Sequence, residues 1–146
     1  MRVVVAIATL LASAPALWAA DLGIGTWARR DTQAMTMTIE PFGATGWKIT
    51  YHITMGSKVS IMSLESALDG SEAAVIVDGK PSGETMAIKR LDDRHTFTTL
   101  KMNGQPFGTS KAELSADGKT INVQNETPSP TAGGPPMKST ETWDRK

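Results

Sequence analysis

Large apolar side chains alternate with polar ones along most of this chain. Trp47, Ile49, Tyr51, Ile53 and Met55 share one parity, and Lys48, Thr50, His52 and Thr54 share the other. A period of two belongs to a β-strand with one face on a core and one in water. Met35, Met37 and Ile39 alternate with Thr36 and Thr38 in the same way. Further runs predict strands over 59–64, 73–77, 85–91, 95–102, 107–114, 119–126 and 137–143, with a first strand opening at Gly25-Thr26-Trp27. Thr recurs in these runs, and its branched Cβ suits a pleated surface. Apolar residues keep helical spacing over three turns nowhere after residue 21. The nearest approach is 63–74, where Leu64, Ala67 and Leu68 allow one short helix before Asp69-Gly70 interrupts it.

The punctuation between runs is that of hairpins. Asn103-Gly104 and Asp117-Gly118 each lie between two strand-like segments. Both dipeptides supply the positive φ angles of a two-residue type I′ turn. Asp69-Gly70, Asp78-Gly79 and Asp92-Asp93 mark further turns. Connections this short make neighbours antiparallel, because a parallel pair needs a crossover of about a dozen residues. The expected fold is all-β: an antiparallel up-and-down meander of about eight to ten strands. A meander of that many strands folds into a sandwich or closes into a barrel; closure removes its exposed edges, and such a barrel can leave room for one small ligand. Residues 127–136, Thr-Pro-Ser-Pro-Thr-Ala-Gly-Gly-Pro-Pro, have no alternation. Their four prolines exclude a central strand, so they predict a long Pro/Gly-rich loop before the last strand.

The N-terminus reads differently. Met1-Arg2 is followed by an apolar run from Val3 to Leu11, then Ser13-Ala14-Pro15-Ala16 and small residues up to Ala20. This is the charged, apolar, small layout of a secretory signal. The run is shorter than the roughly 20 residues that span a bilayer. The expected division is a signal peptide over 1–20 and a β-barrel domain over 21–146. Cleavage is placed after Ala20, with Ala16 and Ala19 as alternatives, and the product is expected in the periplasm or secreted.

Composition removes several function classes. The chain has no Cys, so disulfides, thiolate metal sites, Cys nucleophiles and an N-terminal lipid anchor on Cys are excluded. Fifteen Lys and Arg balance fifteen Asp and Glu. With no basic stripe, no nucleic acid is expected as partner and no membrane anchor is expected. His52 and His95 fall on different predicted strands, so no metal site is expected. Gly23-Ile24-Gly25-Thr26-Trp27-Ala28 has dinucleotide-like spacing but lacks the strand before it and the βαβ unit after it. Asp92-Asp93 belongs to a turn. No catalytic residue and no cofactor is identified.

Gly25-x-Trp27 on the first strand and Arg145 ending the last resemble the lipocalin (calycin) pattern. That resemblance implies that Trp27 closes the narrow end of the barrel and that Arg145 packs across its indole. The chain also resembles a group of small exported bacterial proteins of lipocalin-like type, mostly uncharacterised. The pieces are Thr38-Ile39-Glu40-Pro41, Gly46-Trp47-Lys48-Ile49, residues 86–93 (Met-Ala-Ile-Lys-Arg-Leu-Asp-Asp) and residues 114–120 (Leu-Ser-Ala-Asp-Gly-Lys-Thr). The chain departs from the group at its Pro-rich loop. The resemblance implies fold and export and no particular substrate.

The sequence supports two functional expectations. The first is an exported barrel that binds a small apolar or amphipathic ligand, lined by Met35, Met37, Trp47, Ile49, Tyr51, Ile53 and Met55. Met supports this because it adapts to loosely defined apolar ligands as readily as it fills a core. The second is a periplasmic interaction or inhibitor-type protein with a filled barrel, contacting a protein partner through 128–136. A monomer without enzymatic activity is expected in either case.

Overall fold

The computed structural model describes residues 21–146, and the signal peptide expected over 1–20 lies outside the described residues. Ten strands succeed one another: β1 (Gly25–Arg29), β2 (Met35–Phe42), β3 (Gly46–Met55), β4 (Lys58–Ser66), β5 (Asp69–Val77), β6 (Lys80–Arg90), β7 (His95–Met102), β8 (Gln105–Leu114), β9 (Thr120–Thr127) and β10 (Met137–Arg145). Each pairs antiparallel with its sequence neighbours, and β1 pairs with β10, so the sheet closes into an up-and-down barrel. Closure is registered by Trp27 opposite Arg145, Ala28 opposite Asp144 and Arg29 opposite Trp143.

The hairpins show how local chemistry sets register. Asn103 and Gly104 both take positive φ, 49° and 79°, as a type I′ turn requires. Asp78 and Gly79 do the same at 48° and 80°. The β8–β9 turn differs from expectation, because only Gly118 has positive φ. The Asp117 carboxylate instead accepts the Ser115 hydroxyl and the Lys119 amide, and Ser115 N donates to Thr120 O. This self-bonded Asp holds a longer loop without leaving ordinary φ.

The region 63–74 is strand, not helix. The chain reverses at Ala67 and Leu68, where Leu68 has a φ of 59°. The Asp69-Gly70 turn signal therefore falls at the start of β5, beside an irregularity between Asp69 and Glu72. Only Met62–Val77 and Ser63–Ile76 form the β4–β5 ladder. Beyond them the two strands are not paired, and Leu64, Ser66, Ala73 and Val75 are buried. Asp78 ties the other end of the hairpin, accepting the Ile61 amide at 2.8 Å and the Ser60 hydroxyl at 3.0 Å.

The two ends of the barrel differ. Residues 21–24 and the turns β2–β3, β4–β5, β6–β7 and β8–β9 share one end. The other end carries the remaining turns and the Pro/Gly-rich loop, which is 128–136 and not 127–136, because Thr127 ends β9 opposite Met137. The buried core lies toward the first end and includes Trp27, Ile39, Ile49, Leu64, Ile88, Leu114, Ile121 and Trp143. The N-terminal segment is fastened over it. The Asp21 carboxylate accepts Trp47 Nε1 at 2.7 Å, the Gly23 amide at 3.0 Å and the Arg90 guanidinium. Burial on this scale contributes roughly 1.5–3 kcal/mol for each large apolar side chain.

Candidate ligand cavity

The inward parity of the strands forms a cavity of about 420 Å³, which does not reach Trp27 but is lined in part by the core residues Ile39, Ile49, Ile88, Ile121 and Trp143. Its wall combines Met35, Met37, Ile49, Tyr51 and Ile53 from β2 and β3 with Met62, Met86 and Leu100 from β4, β6 and β7. Phe107, Thr127 and Ser139 extend the lining toward the end that carries the Pro-rich loop. Phe107 is also half exposed, at 46%, which places it at the mouth. The loop therefore shares its end of the barrel with the opening.

Of the lining residues expected from sequence, Met35, Met37, Trp47, Ile49, Tyr51 and Ile53 face the cavity. Met55 does not. It is the last residue of β3, beside the Gly56 turn, and is 58% exposed. Alternation carries no information about where a strand runs past the wall it belongs to. Trp27 is completely buried and is not part of the cavity wall. The Arg145 guanidinium lies 4.2 Å from the Trp27 ring centroid and donates to Gly118 O at 2.7 Å, Ile24 O at 2.8 Å and Leu22 O.

One wall is polar. Ser110 Oγ donates to Asn125 Oδ1, and Asn125 Nδ2 donates to Glu141 Oε1 at 3.0 Å. Glu141 Oε2 accepts Trp143 Nε1 at 3.2 Å and lies 3.4 Å from Arg29 Nη1. Arg29 is mostly buried, its side chain 17% exposed. Its Nε lies 2.8 Å from Asp31 Oδ1 but off the N–H direction, so this buried donor has no hydrogen-bond acceptor among the described residues. The Tyr51 and Trp143 rings meet at 5.9 Å and 60° on the same wall. Burial, with Glu141 and Glu84 adding to it, pushes the Tyr51 phenol well above its ordinary pKa and keeps it neutral.

The Arg29–Glu141 wall is absent from the sequence-based expectation, although the signal was there. Arg29 lies two residues past Trp27, and Glu141 two residues before Trp143. Period two therefore turns both charges inward.

His52 is exposed on the outer face of β3. His95 is held through Nδ1 by the Asp92 carboxylate at 2.8 Å, at the end opposite the mouth. Among the described residues no three His, Asp or Glu side chains converge to hold a metal ion. A separate hollow of about 40 Å³ beside Gly23, Trp47 and Arg90 has room for little more than a water. Comparison with protein-family models, with curated proteins and with solved structures finds no match to this chain.

Proposed function

We propose that this is an exported, lipocalin-like barrel that carries a small apolar or amphipathic ligand in its interior, in the periplasm or outside the cell. The observation that supports it most is the cavity of about 420 Å³ with a mostly apolar wall. Ligand pockets typically occupy roughly 300–1,000 Å³ and combine apolar lining with a few placed polar groups. The Ser110–Asn125–Glu141–Arg29 wall supplies such groups. The same cavity weighs against the interaction-protein alternative, which requires a filled interior. The stacking of Arg145 on Trp27 supports the lipocalin-like reading, and the leader layout supports export.

Native mass spectrometry of protein purified from its own host tests the proposal. A stoichiometric lipid-like passenger is expected. In parallel, the neutral fluorescent probe N-phenyl-1-naphthylamine should brighten on mixing with passenger-free protein. Absence of both a passenger and probe uptake overturns the binding reading.

A further inference from the structure

The polar wall constrains the headgroup of any ligand the cavity takes, so the headgroup assignment rests on the binding reading proposed for the barrel. Of the side chains that line the cavity among the described residues, only Arg29 and Glu141 are charged, and they face each other at 3.4 Å. The outer side of Arg29 is held by Asp31, which takes Nη2 at 3.1 Å. Two carboxylates therefore surround one guanidinium, and the seat offers no surplus positive charge to an anion. A third carboxylate, Glu84, stands on the inward parity of β6 with Met86, and burial raises its pKa. A cation fares no better. Both oxygens of Glu141 already accept hydrogen bonds, from Asn125 and Trp143. An ammonium would have to break those bonds or compete with Arg29.

What the wall leaves over is uncharged hydrogen-bonding capacity. Arg29 Nε is not part of it, because that atom is closed off from the cavity with Asp31 Oδ1 at 2.8 Å. Tyr51, Thr96, Thr98 and Ser139, each with a hydroxyl, line the space. A ligand hydroxyl or carbonyl oxygen bonds to such groups without adding charge. At about 30 Å³ per water-sized group, the cavity accommodates on the order of 14 non-hydrogen atoms. We infer that the ligand is an uncharged amphiphile, a chain of about ten carbons ending in a hydroxyl or carbonyl group seated beside Arg29 and Glu141, and not a fatty-acid anion or an alkylammonium.

Displacement of N-phenyl-1-naphthylamine at pH 7 by 1-decanol, decanoate and decylammonium tests this. Decanol should half-displace the probe at a concentration at least about tenfold below either ion. Because any apolar cavity disfavours ions, the decisive readout comes from two charge variants. Glu141→Gln leaves Arg29 with one carboxylate, and decanoate should then displace the probe about tenfold better while decanol changes less than twofold. Arg29→Gln is the mirror case, and decylammonium should gain by a similar factor. Circular dichroism confirms that each variant is folded, and either one alone carries the test. Tighter binding of either ion than decanol to the unaltered protein overturns the inference. So does a folded variant in which the matching ion gains nothing. Probe uptake with the wrong ranking sinks only the headgroup assignment, whereas no uptake together with no co-purified passenger sinks the binding reading itself.

Discussion

The Arg145 guanidinium lies over the Trp27 indole at 4.2 Å and donates to three backbone carbonyls, at Leu22, Ile24 and Gly118. It joins the last strand to the N-terminal segment and to the β8–β9 turn. Gly25 makes the approach possible: it has a φ of 142°, and a Cβ there would collide with Arg145 Nη1. Two other tryptophans are covered in the same way, Trp47 by Arg90 at 4.9 Å and Trp143 by Arg29 at 5.7 Å.

Arg145→Ala should therefore cost about 2 kcal/mol, from the lost cation–π contact and from partly buried carbonyls left without donors. Arg145→Lys should recover less than half of it. Lysine is a point charge and cannot direct three bonds from one plane. Urea unfolding measures both. A loss below about 1 kcal/mol for the alanine variant would show that the contact is incidental. Trp27→Ala, which empties a completely buried site, should cost roughly 3–5 kcal/mol by the same measurement.

The contrast between this end and the cavity explains what the sequence made legible. Strand parity is local, so the run Trp47–Ile53 can be assigned to an inner face without any tertiary contact. The same parity reaches Arg29 and Glu141, but two charges of opposite sign are meaningful only as neighbours. They become neighbours across the closure of β1 on β10, which is the longest-range pairing in the chain. Met55 shows the converse. Its parity is right, yet its position at a strand end beside the Gly56 turn leaves it in solvent. The 63–74 segment misleads for another reason. Leu64, Ala67 and Leu68 do recur at helical spacing, but Leu64 is a core residue of β4 and Leu68 sits at a left-handed reversal.

Acid should weaken the fold in a defined window. The Ile61 amide and then the Ser60 hydroxyl hold the Asp78 carboxyl below its usual pKa of 3.8. Hydrogen bonds also lower Asp69, Asp92, Asp117 and Asp144, with Ser71, Arg94, Ser115 and Arg30 as the respective leading partners. A depressed folded pKa stabilises the fold above the unfolded value, and that stability is lost as pH falls through the folded value. The thermal midpoint should be nearly flat from about pH 7 to 5 and should drop below about pH 4. Asp78→Asn should lower the midpoint at neutral pH and shrink the acid drop. An unchanged acid profile would remove Asp78 from this account.

The loop 128–136 shares its end with the mouth but adds no strand. Replacing 128–136 with a three-residue turn should leave the barrel folded and stabilise it by about 1 kcal/mol, from the smaller loop-closure entropy. Its effect on ligand exchange is a separate readout. If the loop overhangs the opening, release of N-phenyl-1-naphthylamine in stopped flow should quicken severalfold in the shortened protein. Unchanged release rates would leave the loop as a connector only.

Filling the cavity gives the sharpest separation of fold from function. Ile53 lines the open space between Met35 and Ser60, which it faces across the β2 and β4 ladders. Its neighbours on that side are the adaptable Met35 and Met62, so a larger ring can enter without forcing the backbone. Overpacking a tight core costs typically 1–3 kcal/mol. Ile53→Trp should cost about 1 kcal/mol or less here, because the indole enters unoccupied volume. The same indole should block probe uptake by at least about tenfold. A variant as unstable as a repacked core would mean that the space is not open in solution. A stable variant that still binds the probe at full strength would place the binding site outside the barrel.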